Sequence, residues 1–189
     1  MKMNNVFVYP TETSYAIGCD ARDAAAVARI FKIKGRDAKK TLTLIAANKK
    51  MVEKFVDARV ARSREVSRVM AGLWPGALTL VLPANAHARK TLAPHIIARN
   101  GTIAIRVSDK KIAREMSEHL RAPIVATSAN KAGEPACYSA AAVRRAFKNS
   151  ADKPDIIIDE GVLPKRAAST IAEFKKGKWI IHRQGSITI

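Results

Sequence analysis

Four polar blocks interrupt the apolar runs of this chain, and they hold most of the side chains whose types and spacing could do chemistry. The first, Tyr9-Pro10-Thr11-Glu12-Thr13-Ser14-Tyr15-Ala16-Ile17-Gly18-Cys19-Asp20, carries an apolar run into a proline turn dense in hydroxyls. Such hydroxyls can orient a small polar substrate, and they also cap turns by bonding nearby backbone. In the second, Lys34-Gly35-Arg36, two cations flank a glycine. That suits a di- or triphosphate, with Arg gripping through its fork and Lys acting as a point charge; cations ending a helix also complement its dipole with no further purpose. The third, Thr127-Ser128-Ala129-Asn130, follows Ile124-Val125-Ala126. Its small residues would let the backbone approach a ligand, its Ser and Asn could contact phosphate or a metal-bound water, and it also reads as a plain turn. The fourth comprises Arg106 within Ile103-Ala104-Ile105-Arg106-Val107, the Ser169-Thr170 pair, and Arg183 after Trp179-Ile180-Ile181-His182. An arginine among apolar strand residues invites an anion, because an unpaired buried guanidinium is costly.

Other chemistries lose support. The chain has no G-x-x-x-x-G-K-[ST] loop, no G-x-G-x-x-G, no H-E-x-x-H and no G-x-S-x-G. His87, His95, His119 and His182 show no metal-ligand spacing, and Cys19 and Cys137 can build no disulfide framework.

These blocks need strands to present them, since ligands of open α/β sheets sit beyond strand carboxyl ends. Short β-branched runs predict strands at Val6–Tyr9, Leu42–Ala46, Leu78–Leu82, Ile103–Val107, Ile124–Thr127, Asp155–Ile158, Ser169–Ala172 and Trp179–His182. Helices are expected at Asp23–Ile33, Lys49–Val56, Ser63–Ala71, Lys110–Leu120 and Ser139–Phe147. The first is the clearest: Val27, Ile30 and Phe31 share one face, and Gly35 is placed to end it. Many connections are too short for parallel crossovers. The pattern therefore predicts an α/β fold, a twisted mixed open sheet with helices packed on it, in one domain over residues 1–189.

At 189 residues and 48% hydrophobic the chain can bury a real core, which excludes a disordered tail protein. Lys plus Arg number 34 against 16 Asp plus Glu, a net charge of +18 that argues for a polyanionic partner. Residues 29–68 alone carry 13 Lys/Arg against 4 Asp/Glu, half of that excess. Met1 to Asn5 leads straight into an apolar strand with no secretory pattern, and the charge-free stretch from Arg68 to Arg89 is broken by Trp74-Pro75-Gly76, Pro83 and Asn85. The expectation is a cytoplasmic protein with no membrane partner.

Taken together and in this order, the blocks resemble the YrdC-like family, in its branch that makes threonylcarbamoyl-AMP. The resemblance rests on Tyr9-Pro-Thr-Glu-Thr13, Lys34-Gly-Arg36, Trp74-Pro-Gly76, Ile103-Ala-Ile-Arg-Val107, Thr127-Ser-Ala-Asn130, Ser169-Thr-Ile171 and Arg183-Gln-Gly185, spread over nearly the whole chain. It implies a YrdC-like sheet with a cationic concave site. It also implies a reaction in which L-threonine, bicarbonate and ATP, with Mg²⁺, give threonylcarbamoyl-adenylate and pyrophosphate. The adenylate then serves the N6-threonylcarbamoyl modification of adenosine 37 in tRNA, which a separate transferase performs. That transferase, and tRNA itself, are candidate partners.

The family's phosphate set falls on Lys34, Arg36, Ser128 and Asn130, the residues expected to carry catalysis. Lys40, Thr102 and Arg183 match further ATP contacts. Thr13, Arg106 and Ser169 match positions expected to hold L-threonine, with Arg106 on its carboxylate. The residues that would meet the metal are left unassigned. The chain departs from the family where Tyr-Gly-Leu-Gly reads Tyr15-Ala16-Ile17-Gly18 and Pro-Gly-Pro reads Pro75-Gly76-Ala77. Only Met1–Asn5 precede the first strand, where family members usually carry a helix, and the expectation is the short form, without the C-terminal domain of longer members. Two other readings remain: a non-catalytic module binding tRNA or rRNA, and a paralogue acting on another carbamoyl-adenylate.

Overall fold

A computed structural model describes residues 4–37 and 40–189. Among them, nine strands form one open sheet in the order β7-β1-β2-β6-β3-β5-β4-β8-β9. These are β1 (Phe7–Pro10), β2 (Tyr15–Gly18), β3 (Thr43–Ile45), β4 (Leu78–Pro83), β5 (Thr102–Arg106), β6 (Ile124–Ser128), β7 (Ile156–Ile157), β8 (Thr170–Lys175) and β9 (Lys178–Arg183). The helices are α1 (Ala24–Lys34), α2 (Lys49–Phe55), α3 (Ala58–Ala61), α4 (Arg64–Leu73), α5 (Ala86–Thr91), α6 (Lys111–Leu120) and α7 (Ala140–Ala146). β1 with β7, β3 with β5 and β4 with β8 run parallel, and the other neighbours antiparallel, so the sheet is mixed as expected.

Alternation along the strands separates a core face from a site face. On β5, Ile103 and Ile105 are buried in the main core. Each contributes about 2 kcal/mol by leaving water. Their neighbours Thr102, Ala104 and Arg106 point the other way and line a cavity. The main core gathers Leu44, Leu80 and Val125 from the sheet with Val27 and Ile30 of α1, Val52 of α2, and Val66 and Met70 of α4. On the second face, Ala113, Met116 and Leu120 of α6 cover Phe7, Ile45 and Ile124. The cavity opens beyond α6 on this second face.

Helix α1 forms as its sequence predicts. Asp23 caps it by accepting from Ala26 N at 3.0 Å. Gly35 ends it at φ 57°, in the left-handed region that glycine enters at no steric cost, and Arg36 N returns to Phe31 O at 3.0 Å.

Strand β2 lies inside the block expected to be a turn. Its reading failed because Ala16 and Gly18 lack the branched side chains that mark strands. Gly18 is there for closeness: a Cβ would sit 1.8 Å from the Val125 carbonyl oxygen on the next strand segment. α3 and α5 are further short elements outside the expected set. Asp155–Ile158 forms a strand only over Ile156–Ile157. The charge-free stretch after Arg68 ends α4, builds β4 and starts α5; among the described residues no helix is long and apolar enough to cross a membrane.

Candidate active site

A cavity of about 970 Å³ lies over the middle of the sheet. Its floor is made of small side chains, Ala16, Thr43, Ala104 and Ala126, from four consecutive strands of the sheet. Larger residues there would fill the hollow. Ala16, where the family pattern has Gly, therefore sits in the floor itself. Of the lining side chains, Arg36, Lys40, Arg99, Arg106, Arg166 and Arg183 are cationic, and Glu134 and Glu173 are carboxylates. The hollow is strongly positive.

Nine of the ten residues singled out from the sequence line this cavity: Thr13, Arg36, Lys40, Thr102, Arg106, Ser128, Asn130, Ser169 and Arg183. Lys34 does not. It sits 3% exposed behind the wall, where Nζ donates to Ser128 O and, at 2.6 Å, to Asn130 O. Ala132 N also donates to Lys34 O at 2.8 Å, so the end of β6 and the turn after it are tied to the end of α1 by both the side chain and the backbone of Lys34. Burial, with a smaller push from the Arg36 charge, brings the Lys34 ammonium down to about 8.

Arg36 differs from its neighbour in being under-satisfied. The left-handed Gly35 cap aims it at the cavity, and Nη2 donates to Thr41 O at 2.9 Å. Its Nε is buried with no hydrogen-bond partner among the described residues. Burial lowers its pKa. An orphaned donor of this kind costs about 1–3 kcal/mol unless something accepts from it. A phosphate oxygen would.

The opposite wall is arranged around Ser169 and Arg106. Arg183 donates through Nε to Ser169 O at 2.9 Å and through Nη2 to Ser169 Oγ at 3.0 Å, while Ser169 Oγ lies 2.9 Å from Thr79 Oγ1. Gly185 permits this crossing, since a Cβ there would lie 2.0 Å from Ala168 O. Desolvation first, and the Arg106 charge second, lower the Arg183 pKa. Arg106 is 7% exposed, and its Nη1 lies 2.9 Å from Glu12 Oε1. Thr11 Oγ1 ties the intervening turn, donating to Ser14 O at 2.7 Å and lying 3.1 Å from Thr13 Oγ1. Thr102 donates to Asn100 Oδ1 at 2.8 Å, and Asn130 Nδ2 to Lys131 O at 3.0 Å.

Sequence reasoning passed over Glu12, Arg99, Arg166 and the Glu173–His182 pair, whose atoms lie 2.9 Å apart at the rim. Glu12 could have been found, since it stands inside the hydroxyl block and Arg106 needed a partner. No local pattern marks the other four. Among the described residues no three His, Cys, Asp or Glu are grouped to hold a metal ion, and Cys19 and Cys137 are buried free thiols.

The family model described as "Telomere recombination", Sua5/YciO/YrdC, matches residues 1–185. A threonylcarbamoyl-AMP synthase of Thiobacillus denitrificans is 34% identical over 178 residues, covering 94% of this chain and 89% of that protein. Another, from Chromohalobacter salexigens, is 35% identical over 179 residues, covering 94% and 90%. The solved structure of P. abyssi Sua5 complexed with L-threonine superposes with a TM-score of 0.83 at 31% identity, covering 96% of this chain and 51% of that one. The present chain thus spans about half the length of that Sua5 chain. E. coli YciO superposes with a TM-score of 0.78 at 25% identity, covering 96% of this chain and 84% of that one. With the family pattern matched over residues 1–185 and its fold shared with solved members, the chain belongs to the Sua5/YciO/YrdC family.

Proposed function

We propose that this protein is a threonylcarbamoyl-AMP synthase, joining L-threonine, bicarbonate and ATP into threonylcarbamoyl-adenylate with release of pyrophosphate. The observation that carries the reading is the convergence of Arg36, Ser128 and Asn130 with Thr13, Arg106 and Ser169 on one cationic cavity. The names of the curated relatives support it.

The two ends of the cavity suit the two substrates. The Arg36 and Lys40 end, with its unpartnered Nε, would take the polyphosphate. Arg106 would pair the threonine carboxylate, with Thr13 and Ser169 orienting the rest of that small molecule. The threonine nitrogen and bicarbonate first give a carbamate, with loss of water. A carbamate oxygen then attacks the α-phosphorus, the bond to the β-phosphate oxygen breaks, and pyrophosphate leaves with that electron pair. No covalent enzyme nucleophile is required. The protein's work is positioning and neutralising charge on a highly anionic assembly. Mg²⁺ would enter on the nucleotide's phosphate oxygens. The adenylate would pass to a separate transferase acting on adenosine 37 of tRNA.

A pyrophosphate-release assay with ATP and Mg²⁺, omitting L-threonine and bicarbonate in turn, tests this. Release is expected to need both. Turnover indifferent to threonine would overturn the assignment.

A further inference from the structure

At the Thr11 turn two adjacent side chains stand at the boundary of two hollows. Thr13 lines both the main cavity and a smaller neighbouring hollow of about 320 Å³, whereas Glu12 lines the smaller one. Arg106 lines the main cavity, so the Glu12–Arg106 ion pair stands in the partition between the two. We propose that Glu12 is a positioning residue: its carboxylate fixes the Arg106 guanidinium in the orientation that receives the threonine carboxylate. This rests on the reading above.

The Glu12 carboxylate is itself held. Ser108, fully buried, donates from Oγ to Glu12 Oε2. The same Oγ accepts from Lys110 N at 3.2 Å, and Arg114 Nη1 donates to Ser108 O at 2.6 Å. The start of α6 therefore locks Ser108, Ser108 locks one oxygen of Glu12, and the other oxygen lies against Arg106 Nη1. Among the described residues Glu12 is the carboxylate paired with this guanidinium. Arg183 stands near enough for the Arg106 charge to lower its pKa, so Glu12 also offsets repulsion within the cationic wall.

Guanidinium has five N–H donors in a fixed fork. The contact with Glu12 is a pairing of charges in which Oε1 accepts no hydrogen bond among the described residues, so the fork keeps its donors for a planar, bidentate carboxylate. The Glu12 charge also offsets that of Arg106, which favours a monoanion there over a polyphosphate. Arg36 and Lys40 carry no carboxylate of this kind in the ion pairs of the described residues. Glu12 thus sorts the two anionic substrates to opposite ends of one hollow.

Steady-state kinetics and calorimetry on the full chain test the proposal. Glu12→Gln, isosteric but uncharged, should raise KM for L-threonine at least tenfold while KM for ATP stays within twofold. It should also shrink the binding preference for L-threonine over L-threoninamide, which lacks the carboxylate charge, by a similar factor. A merely structural role would move both KM values together and leave that preference intact. Ser108→Ala, which frees Glu12 without removing its charge, should raise KM for L-threonine about threefold; it decides the matter should Glu12→Gln not fold. Wild-type protein that binds L-threonine alongside variants with unaltered threonine KM and preference would overturn the role of Glu12 alone. Wild-type protein that binds no L-threonine would overturn the functional reading, and this inference with it.

Discussion

Two arginine clusters in this molecule use the same groups for opposite ends. Arg29 on α1 meets Asp152 and Asp155 at 2.8 Å each and donates to Asn4 O at 2.7 Å and Lys153 O at 3.1 Å. Its charge is over-compensated and its donors are spent, so it ties α1 and the N-terminal segment to the approach to β7. Arg106 has one carboxylate, Glu12, and faces a cavity already holding Arg36 and Arg183. In a chain of net charge +18 an unpaired surface cation costs little, because water solvates it. Cations kept together in a hollow and short of partners are a different matter. They raise the energy of the empty site and lower it when an anion arrives.

The largest expected effect follows from Arg36, the least satisfied member of that hollow. Arg36→Ala should lower kcat/KM for ATP about a hundredfold, the size of losing one preorganised electrostatic contact of about 3 kcal/mol. The thermal midpoint of the free protein should hold or rise, since the variant removes a buried donor with no partner. Calorimetric melting beside the kinetics checks both signs. A loss of stability matching the loss of activity would make Arg36 a structural cation like Arg29.

Lys34 lies between the two classes. It is buried like a structural residue, yet what it holds is the turn carrying Ser128 and Asn130 into the site. With its ammonium brought down to about 8, Lys34 is charged below that pH and neutral above it. Raising pH through 8 removes a positive charge behind the phosphate end, so ATP affinity should fall on the order of tenfold between pH 7 and 9. Titration calorimetry without threonine measures this free of the substrate amine. Lys34→Arg, which stays charged throughout, should flatten the profile. A wild-type profile already flat over this range would separate Lys34 from the nucleotide.

What the sequence made legible follows the range of the interactions. Helix α1 was readable because its causes are local: an Asp cap, an apolar stripe through Val27, Ile30 and Phe31, and Gly35 at the end. β5 was readable because Ile103 and Ile105 alternate with polar and small residues. β2 was missed because Gly18 is dictated by a carbonyl on a distant part of the chain. In the site, residue types were legible and their directions were not. Lys34 was expected to face phosphate, but its partners lie 94 and 96 residues away and turn it inward. Glu12 was hidden for the same reason, since Ser108 is 96 residues distant. Its significance exists only once β1 and β5 have been brought into one sheet.

The Arg29 cluster supplies the smallest effect, and the one that isolates stability from function. Hydrogen bonds from Arg29 draw the Asp152 carboxyl below its usual range; at Asp155 burial pushes up, but Arg29 and the Val6 amide outweigh it and the net shift is down. A depressed carboxylate pKa means the unfolded chain takes up protons first as pH falls. The stabilisation is therefore complete above the ordinary carboxylate range, near pH 4, and is lost below it as pH falls through the depressed folded-state values. The groups are partly exposed, so solvent screening holds the expected cost of Arg29→Ala to about 1 kcal/mol at pH 7. Urea melts of wild type and variant should differ by that amount at pH 7 and converge below pH 4, while kcat and both KM values stay together throughout. Were Arg29→Ala to alter KM for either substrate, charge compensation would not separate the scaffold from the site, and the contrast between the two arginines would fail at its balanced end.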